Sequence, residues 1–219
     1  MTNFPQIGQL APNFIAVGVY KKKVGKIRLS DYRGKKYVIL VFYPANFTPV
    51  SLTELTALSD RIKEFKELST QILAISVDTP FSHLRSLLST REEGGLQDLN
   101  YPLVSDLTRS IIHDYKLFTE DGMALPGLFI LDKEGLIQYY NVNNLLCGRS
   151  INEILRILRS IQYIKDHPGY ACPVDWKSGG PILYSHPLKS TFHFKQFHFS
   201  EKLKNYAETK NSKVSPKTL

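Results

Sequence analysis

The chain has 219 residues, 42% of them hydrophobic, and a formal net charge of +8. That length holds one ordinary domain with extensions around a real core. No apolar run approaches the ~20 residues that span a bilayer, and two cysteines, Cys147 and Cys172, are too few for a disulfide scaffold.

A reducing compartment is therefore the default expectation. The start, Met-Thr-Asn-Phe-Pro-Gln-Ile, lacks signal- or transit-peptide character. The chain is expected to act where it is made, unless a targeting segment is missing from the sequence. Part of the positive charge lies in the last 25 residues, where six Lys face two Glu. Another part lies in Tyr20-Lys-Lys-Lys-Val-Gly-Lys26, which reads as a solvated turn. Nucleic-acid binding would want a fold-level motif or a basic stripe with exposed aromatics. No such motif is legible, so nucleic acid is not an expected partner.

In chain order, Phe14 to Val19 alternates weakly and stops before the lysine turn. Tyr37 to Tyr43 is the most apolar run and predicts a buried central strand. After a short turn, Leu52, Leu55, Leu58, Ile62 and Phe65 fall on one helical face. Gln71 to Asp78 predicts a second buried strand, parallel to the first across the helix. Pro80 to Glu92 reads as a helix stopped by Gly94-Gly95. Tyr101 to Asp106 reads as a short edge element, and Thr108 to Tyr115 as a short helix. Gly127 to Asp132 and Gly135 to Val142 are two strands of a hairpin. Ser150-Ile-Asn-Glu153 is a capping box that opens a helix with Ile151, Ile154, Leu155, Leu158 and Ile161 on its core face. That helix should end before His167-Pro-Gly169, and residues 200–219 lack periodicity and are expected to be a disordered basic tail. The order of elements implies an α/β layered domain with a central mixed sheet flanked by helices.

The turn between the first strand and helix carries the chemistry. A helix N-terminus offers free N–H groups and partial positive charge, which lower a thiol pKa and bind polar oxygens. Phe42-Tyr-Pro-Ala-Asn-Phe-Thr-Pro-Val-Ser-Leu-Thr-Glu54 resembles the active-site segment of the typical two-cysteine peroxiredoxins, through Pro44, Thr48, Thr53 and Glu54. Ile27 to Gly34, Ser76 to His83, Gly94 to Asp106, Gly127 to Gly135 and Gly148-Arg-Ser150 extend the resemblance over roughly residues 7 to 180. It is nearest to the cyanobacterial and chloroplast branch. Ala171-Cys-Pro-Val-Asp-Trp-Lys177 resembles the resolving-cysteine motif and places Cys172 at that position.

The resemblance implies a thioredoxin-like fold over residues 1–166, an arm over 167–199 and the tail beyond. It implies a homodimer, or a ring of five dimers, in a plastid or in the cytoplasm of a cyanobacterium-like organism. It implies no cofactor and no metal, and a thioredoxin-type reductant if the protein is active. In that family a thiolate attacks peroxide, becomes a sulfenic acid and is resolved by a partner-subunit cysteine.

Here the peroxidatic position is Ser51, the arginine before the Gly-Leu-Phe-Ile strand is replaced by Pro126, and Leu52 stands where the family has proline, with Pro49 three residues earlier. Serine needs an adjacent base to act as a nucleophile, and the segment has no histidine. Two losses at one site argue against a laboratory Cys→Ser trap. Ser51-Leu-Thr-Glu54 also reads as a capping box. Thr48 and Pro44 either line a pocket or serve only as turn residues. Glu54 and Arg149 either form the family's ion pair or a surface pair worth little. Cys172 either forms mixed disulfides or is idle, and Cys147 reads as a packing residue. The spacing of His186, His193 and His198 is too loose for a metal site. The resemblance places His193-Phe194 near a C-terminal Tyr-Phe that packs over the family's active site; the alternation of Phe192, Phe194, Phe197 and Phe199 could instead form an extra strand or a surface anchor. Pro126 is a candidate for a cis bond after Leu125.

Two functions follow. One is a non-catalytic homologue kept as scaffold, holdase or subunit partner. The other is a working thiol peroxidase that uses Cys172 or Cys147, or whose Ser51 is an artefact of the sequence.

Overall fold

The computed structural model describes residues 4–194, with side chains as far as Ser190. It divides into two compact units, Met1–Leu158 and Arg159–Leu219. The first is built on a seven-stranded mixed sheet. Its strands are β1 (Ile15–Tyr20), β2 (Lys23–Arg28), β3 (Tyr37–Phe42), β4 (Thr70–Ser76), β5 (Leu103–Ser105), β6 (Gly127–Leu131) and β7 (Ile137–Val142). Their spatial order is β2-β1-β5-β4-β3-β6-β7. β3 and β4 are parallel, as are β4 and β5, and every other neighbouring pair is antiparallel.

β3 lies deep in the sheet and is buried at all six positions, which is why it reads as a continuous apolar run. Alternation divides its side chains. Val38, Leu40 and Phe42 join Phe14, Leu73, Ile75, Val104, Ile112, Tyr115 and Phe129 in one core. Phe129 makes edge contacts with Phe42 and Tyr115, with centroids 6.0 and 5.0 Å apart. Ile39, Val41 and Tyr43 point the other way, to the side of the buried Leu55, Leu58, Phe65, Leu155 and Leu158.

Four elements differ from the sequence reading. The helix of residues 52–65 is two, α1 (Pro49–Asp60) and α2 (Ile62–Glu67), because Arg61 leaves helical geometry at φ −100°, ψ 15°. α3 (Pro80–Leu88) ends at an extended Ser89, well before Gly94-Gly95. β5 is an inner strand between β1 and β4, where an edge had been expected; both of its neighbours come from distant sequence, so local pattern does not reveal them. The lysine-rich stretch is mostly strand: only Lys21 and Lys22 turn, both at positive φ (49° and 62°), as a two-residue hairpin of the primed type requires.

α4 (Ser110–Asp114) and α5 (Ile151–Asp166) occupy the expected places. Ser150 Oγ accepts from the Glu153 N–H at 3.3 Å, but the Glu153 carboxylate pairs with Arg156 instead of reaching back. In the second unit a two-stranded sheet, β8 (Tyr170–Ala171) with β9 (Leu183–Tyr184), precedes α6 (Pro187–Phe194). Phe192 and Phe194 are therefore helical, which removes the strand reading there; Phe197, His198, Phe199 and the tail lie outside the described residues.

Gly18 shows how tightly β1 is held. A Cβ there would lie 2.6 Å from the Leu103 carbonyl oxygen of β5. Gly25, directly opposite, has nothing within 4 Å of such an atom. Gly18→Ala should therefore cost ~1–3 kcal/mol in denaturant unfolding through overpacking, while Gly25→Ala should cost well under ~0.5 kcal/mol. Equal losses would show that β1 yields at this point.

Candidate active site

α1 starts one turn earlier than a helix capped at Ser51 would. Thr48 is its N-cap and Pro49 its first helical residue, where the missing N–H and fixed φ of proline are favourable. The Leu52 N–H closes the first turn on the Thr48 carbonyl at 3.0 Å. Ser51 is therefore inside the helix, and the expected Ser51–Glu54 capping box does not form: Pro49 moved the start. The preceding Phe47 has φ 61°, a left-handed turn residue that aims Thr48 back at the helix.

Ser51 is 4% exposed. Its hydroxyl lies 2.6 Å from the Thr48 hydroxyl, which also donates to the Ala45 carbonyl at 2.8 Å. Each hydroxyl carries one proton, so the pair and the carbonyl satisfy one another. Thr48 spends its side chain here and does not cap the helix. Pro44 and Pro126 are both buried.

Glu54 and Arg149 form a buried bidentate pair, with side chains 5% and 2% exposed. The surface-pair reading fails. Arg149 gives Nε to Glu54 Oε1 at 2.9 Å, Nη2 to Oε2 at 2.5 Å and its backbone N–H to Oε1 at 2.6 Å. Its Nη1 donates to the Gly127 carbonyl at 2.7 Å. None of these bonds reaches Ser51. The guanidinium is committed to a carboxylate and a carbonyl, so Ser51 gains no hydrogen bond from it.

Pro126 precedes the strand whose first carbonyl Arg149 holds. Its own carbonyl accepts from the Asn143 N–H at 3.0 Å, and the Gly127 N–H folds back to the Leu125 carbonyl at 2.7 Å, a three-residue turn about Pro126. The Leu125–Pro126 bond is trans, as are all described peptide bonds, which corrects the cis expectation. The tight turn gives the strand entry its direction without a cis bond.

A polar network that the sequence reading missed secures the other side of the loop. Asn46 gives its backbone N–H to Asp78 Oδ2 at 2.7 Å and its side-chain amide to Ser82 Oγ at 2.8 Å, with His83 Nδ1 at 3.1 Å. The Tyr43 hydroxyl donates to Asn46 Oδ1 at 3.0 Å. His83 is fully buried, and its Nε2 lies 3.3 Å from the Val104 carbonyl. Nε2 as donor and Nδ1 as acceptor describe a neutral imidazole. The only legible signal was three polar residues, Asp78, Ser82 and His83, at helix-start spacing.

The histidine that touches this loop is thus spent on structure and is not aimed at Ser51. Cys147 is exposed, so the packing reading is corrected. Its loop runs past α1: a Cβ on Gly148 would lie 3.7 Å from Val50. Cys172, in the second unit, is half-buried with Sγ 4.0 Å from the Ser160 carbonyl oxygen. Near it Tyr163 stacks on His167 (4.1 Å) and meets Trp176 (5.0 Å). No group of metal-binding side chains occurs among the described residues, and His186 is exposed. No described helix is long and apolar enough to cross a membrane.

Two measurements probe this geometry. Glu54→Ala should destabilise by ~3–5 kcal/mol, because it strands a buried guanidinium. The double change Glu54→Leu with Arg149→Met should lose less than that single variant; additive losses would mean the pair is not coupled. Burial also pushes the His83 pKa below its usual 6.5, against the opposing pull of Asp78 and the Val104 carbonyl. The unfolded chain then binds that proton more readily. His83's contribution is intact above about pH 6.5 and is lost as pH falls below it. Denaturant midpoints should drop between about pH 7 and pH 5.5 in the native chain and less in His83→Gln; equal slopes would rule out His83 as the cause.

Residues 7–140 match the AhpC/TSA family. The chain is 70% identical over 202 residues to the ycf42 protein of Trieres chinensis, which is named as a peroxiredoxin, covering 92% of this chain and 99% of that one. It is 52% identical to the chloroplastic 2-cysteine peroxiredoxin of Chattonella marina var. antiqua, covering 86% and 97% of the two chains. A Synechocystis protein named as a peroxiredoxin is 46% identical, with 89% and 97% covered. Among solved structures, the reduced 2-Cys peroxiredoxin of Plasmodium vivax superposes with a TM-score of 0.79 at 36% identity, over 81% of this chain and 92% of that one. With the sheet order, the Thr48–Ser51 turn and the Glu54–Arg149 pair already in place, these similarities settle the lineage: the chain belongs to the AhpC/TSA family, the peroxiredoxins, among relatives from chloroplasts and cyanobacteria.

Proposed function

We propose that this peroxiredoxin is impaired as a peroxidase and serves as a scaffold, a holdase or a partner of active subunits. The observation that carries the reading is Ser51, buried in the first turn of α1 with its hydroxyl satisfied by Thr48. The family reaction stores the peroxide oxygen on sulfur, and a serine oxygen has no comparable sulfenic state. Ser51 also lacks a base: its hydroxyl bonds to a threonine, and His83 is bonded elsewhere. Pro126 brings neither charge nor N–H donor to the strand entry. The assembly we infer is a homodimer or a ring of dimers; the location we infer, a plastid or a cyanobacterium-like cytoplasm, is in keeping with relatives from chloroplasts and cyanobacteria. Cys172 at the resolving position would need a thiol at residue 51 to form the family disulfide.

A second reading, a thiol peroxidase acting through Cys147 or Cys172, draws on the exposure of Cys147. Coupled oxidation of NADPH through thioredoxin and its reductase separates the two. The native chain should turn over peroxide far below ~1 s⁻¹, the low end for ordinary enzymes. Ser51→Cys puts a thiol at a helix N-terminus, where its pKa is lowered, and should restore part of the rate. Adding Pro126→Arg should raise it by at least about tenfold, ~1.4 kcal/mol of transition-state stabilisation. A native rate lost in Cys147→Ala or Cys172→Ala would establish the second reading.

A further inference from the structure

The hairpin β1–β2 has features that the proposed function does not use. β2 is the last strand of the sheet, so one side of its backbone faces no described strand. An exposed edge of this kind is a template for another extended chain. The hairpin is also strongly basic. Lys21, Lys22, Lys23, Lys26 and Arg28 lie within eight residues, and there is no carboxylate between Phe14 and Ser30. None of the five is in an ion pair among the described residues.

The side chains divide by face. Ala16 and Ile27 pack on the main core. Alternation then puts Ile15, Val17 and Val19 with their cross-strand partners Arg28, Lys26 and Val24 on the other face. α3 packs against β1 there, and Val19 is fully buried, but the cover stops. Ile15 is 61% exposed, Val17 42% and Val24 51%. The open strip is an apolar row with two cations beside it, bordered by unpaired backbone.

We propose that β2 accepts an acidic, extended polypeptide segment as an added strand. Charge complementarity selects this occupant. A second copy of the chain would bring lysines against lysines, since like charges directly opposite are destabilising. The chain's own last 25 residues, with six Lys and two Glu, repel for the same reason. Edge lysines commonly guard against random strand pairing; here the same guard admits one sign of partner. A strand running antiparallel to β2 would meet Arg28 first, then Lys26, then Val24. The complementary pattern is acidic, any, acidic, any, apolar. Main-chain hydrogen bonds supply affinity and alternate side chains supply specificity. Nucleic acid is the weaker match, because single strands want aromatic stacking platforms, and Tyr20 is the one exposed aromatic in β1–β2.

The test is a fluorescent peptide, acetyl-Thr-Glu-Thr-Glu-Thr-Val-Thr-amide, titrated onto the full chain by anisotropy. Saturable binding with Kd below about 1 mM is expected. Three changes should each weaken it at least about tenfold: replacing both Glu by Lys in the peptide, N-methylating its alternate amides on the bonding edge, and Lys26→Glu with Arg28→Glu in the protein. N-methylation leaves every charge and the protein itself untouched, so its effect reads the backbone ladder alone. Equal binding by the peptide N-methylated on the bonding edge and by one N-methylated on the opposite, outward-facing amides would reduce the site to charge attraction and overturn the proposal. Tighter binding of a single-stranded oligouridine than of the peptide, or no peptide binding at about 1 mM, would overturn it as well.

Discussion

The buried Arg149–Glu54 pair is the interaction on which the site geometry rests. It joins three pieces of chain that are remote in sequence: the first turns of α1, the start of β6 and the loop after β7. Two charges removed from water are expensive unless nearly every donor and acceptor is met. Here the carboxylate takes three N–H groups and the guanidinium takes two kinds of oxygen. That saturation fixes the position of α1 against the sheet, and with it the depth at which residue 51 sits. Tyr101 adds a further tie, its hydroxyl donating to the Leu55 carbonyl at 2.7 Å.

The pair also explains why a serine at position 51 leaves the architecture whole. The framework that aims residue 51 depends on Glu54, Arg149, Thr48 and the Asn46–Asp78–His83 network. None of these contacts requires sulfur at position 51. A serine occupies the same buried corner and closes a hydroxyl pair with Thr48. Folding selects for the frame, and reactivity is a separate property of one side chain within it.

Much of this was legible in the sequence because it is local. Tyr37 to Phe42 announces an inner strand by its unbroken apolarity, and Gly127 to Val142 announces a hairpin by its turn. Two kinds of error remained. Helix ends moved: the cap shifted from Ser51 to Thr48, because Pro49 outweighs a nominal capping pair, and Ser89 rather than Gly94 stops α3. Long-range neighbours were invisible. β5 is central only because β1, 80-odd residues earlier, pairs with it, and the lysine run is a strand because β1 offers it a partner. Arg149 could be placed near Glu54 only by likeness to a family; nothing in the intervening residues sets that distance.

The hydroxyl pair of Thr48 and Ser51 has a consequence for redox sensing. A sulfur at this position would record its surroundings, climbing from thiol to sulfenic to sulfinic acid as oxidant rises. Two alcohols have no such ladder. Residue 51 therefore keeps one covalent state whatever the oxidant level around it. At residue 51 this chain has no sulfur to carry a history of exposure.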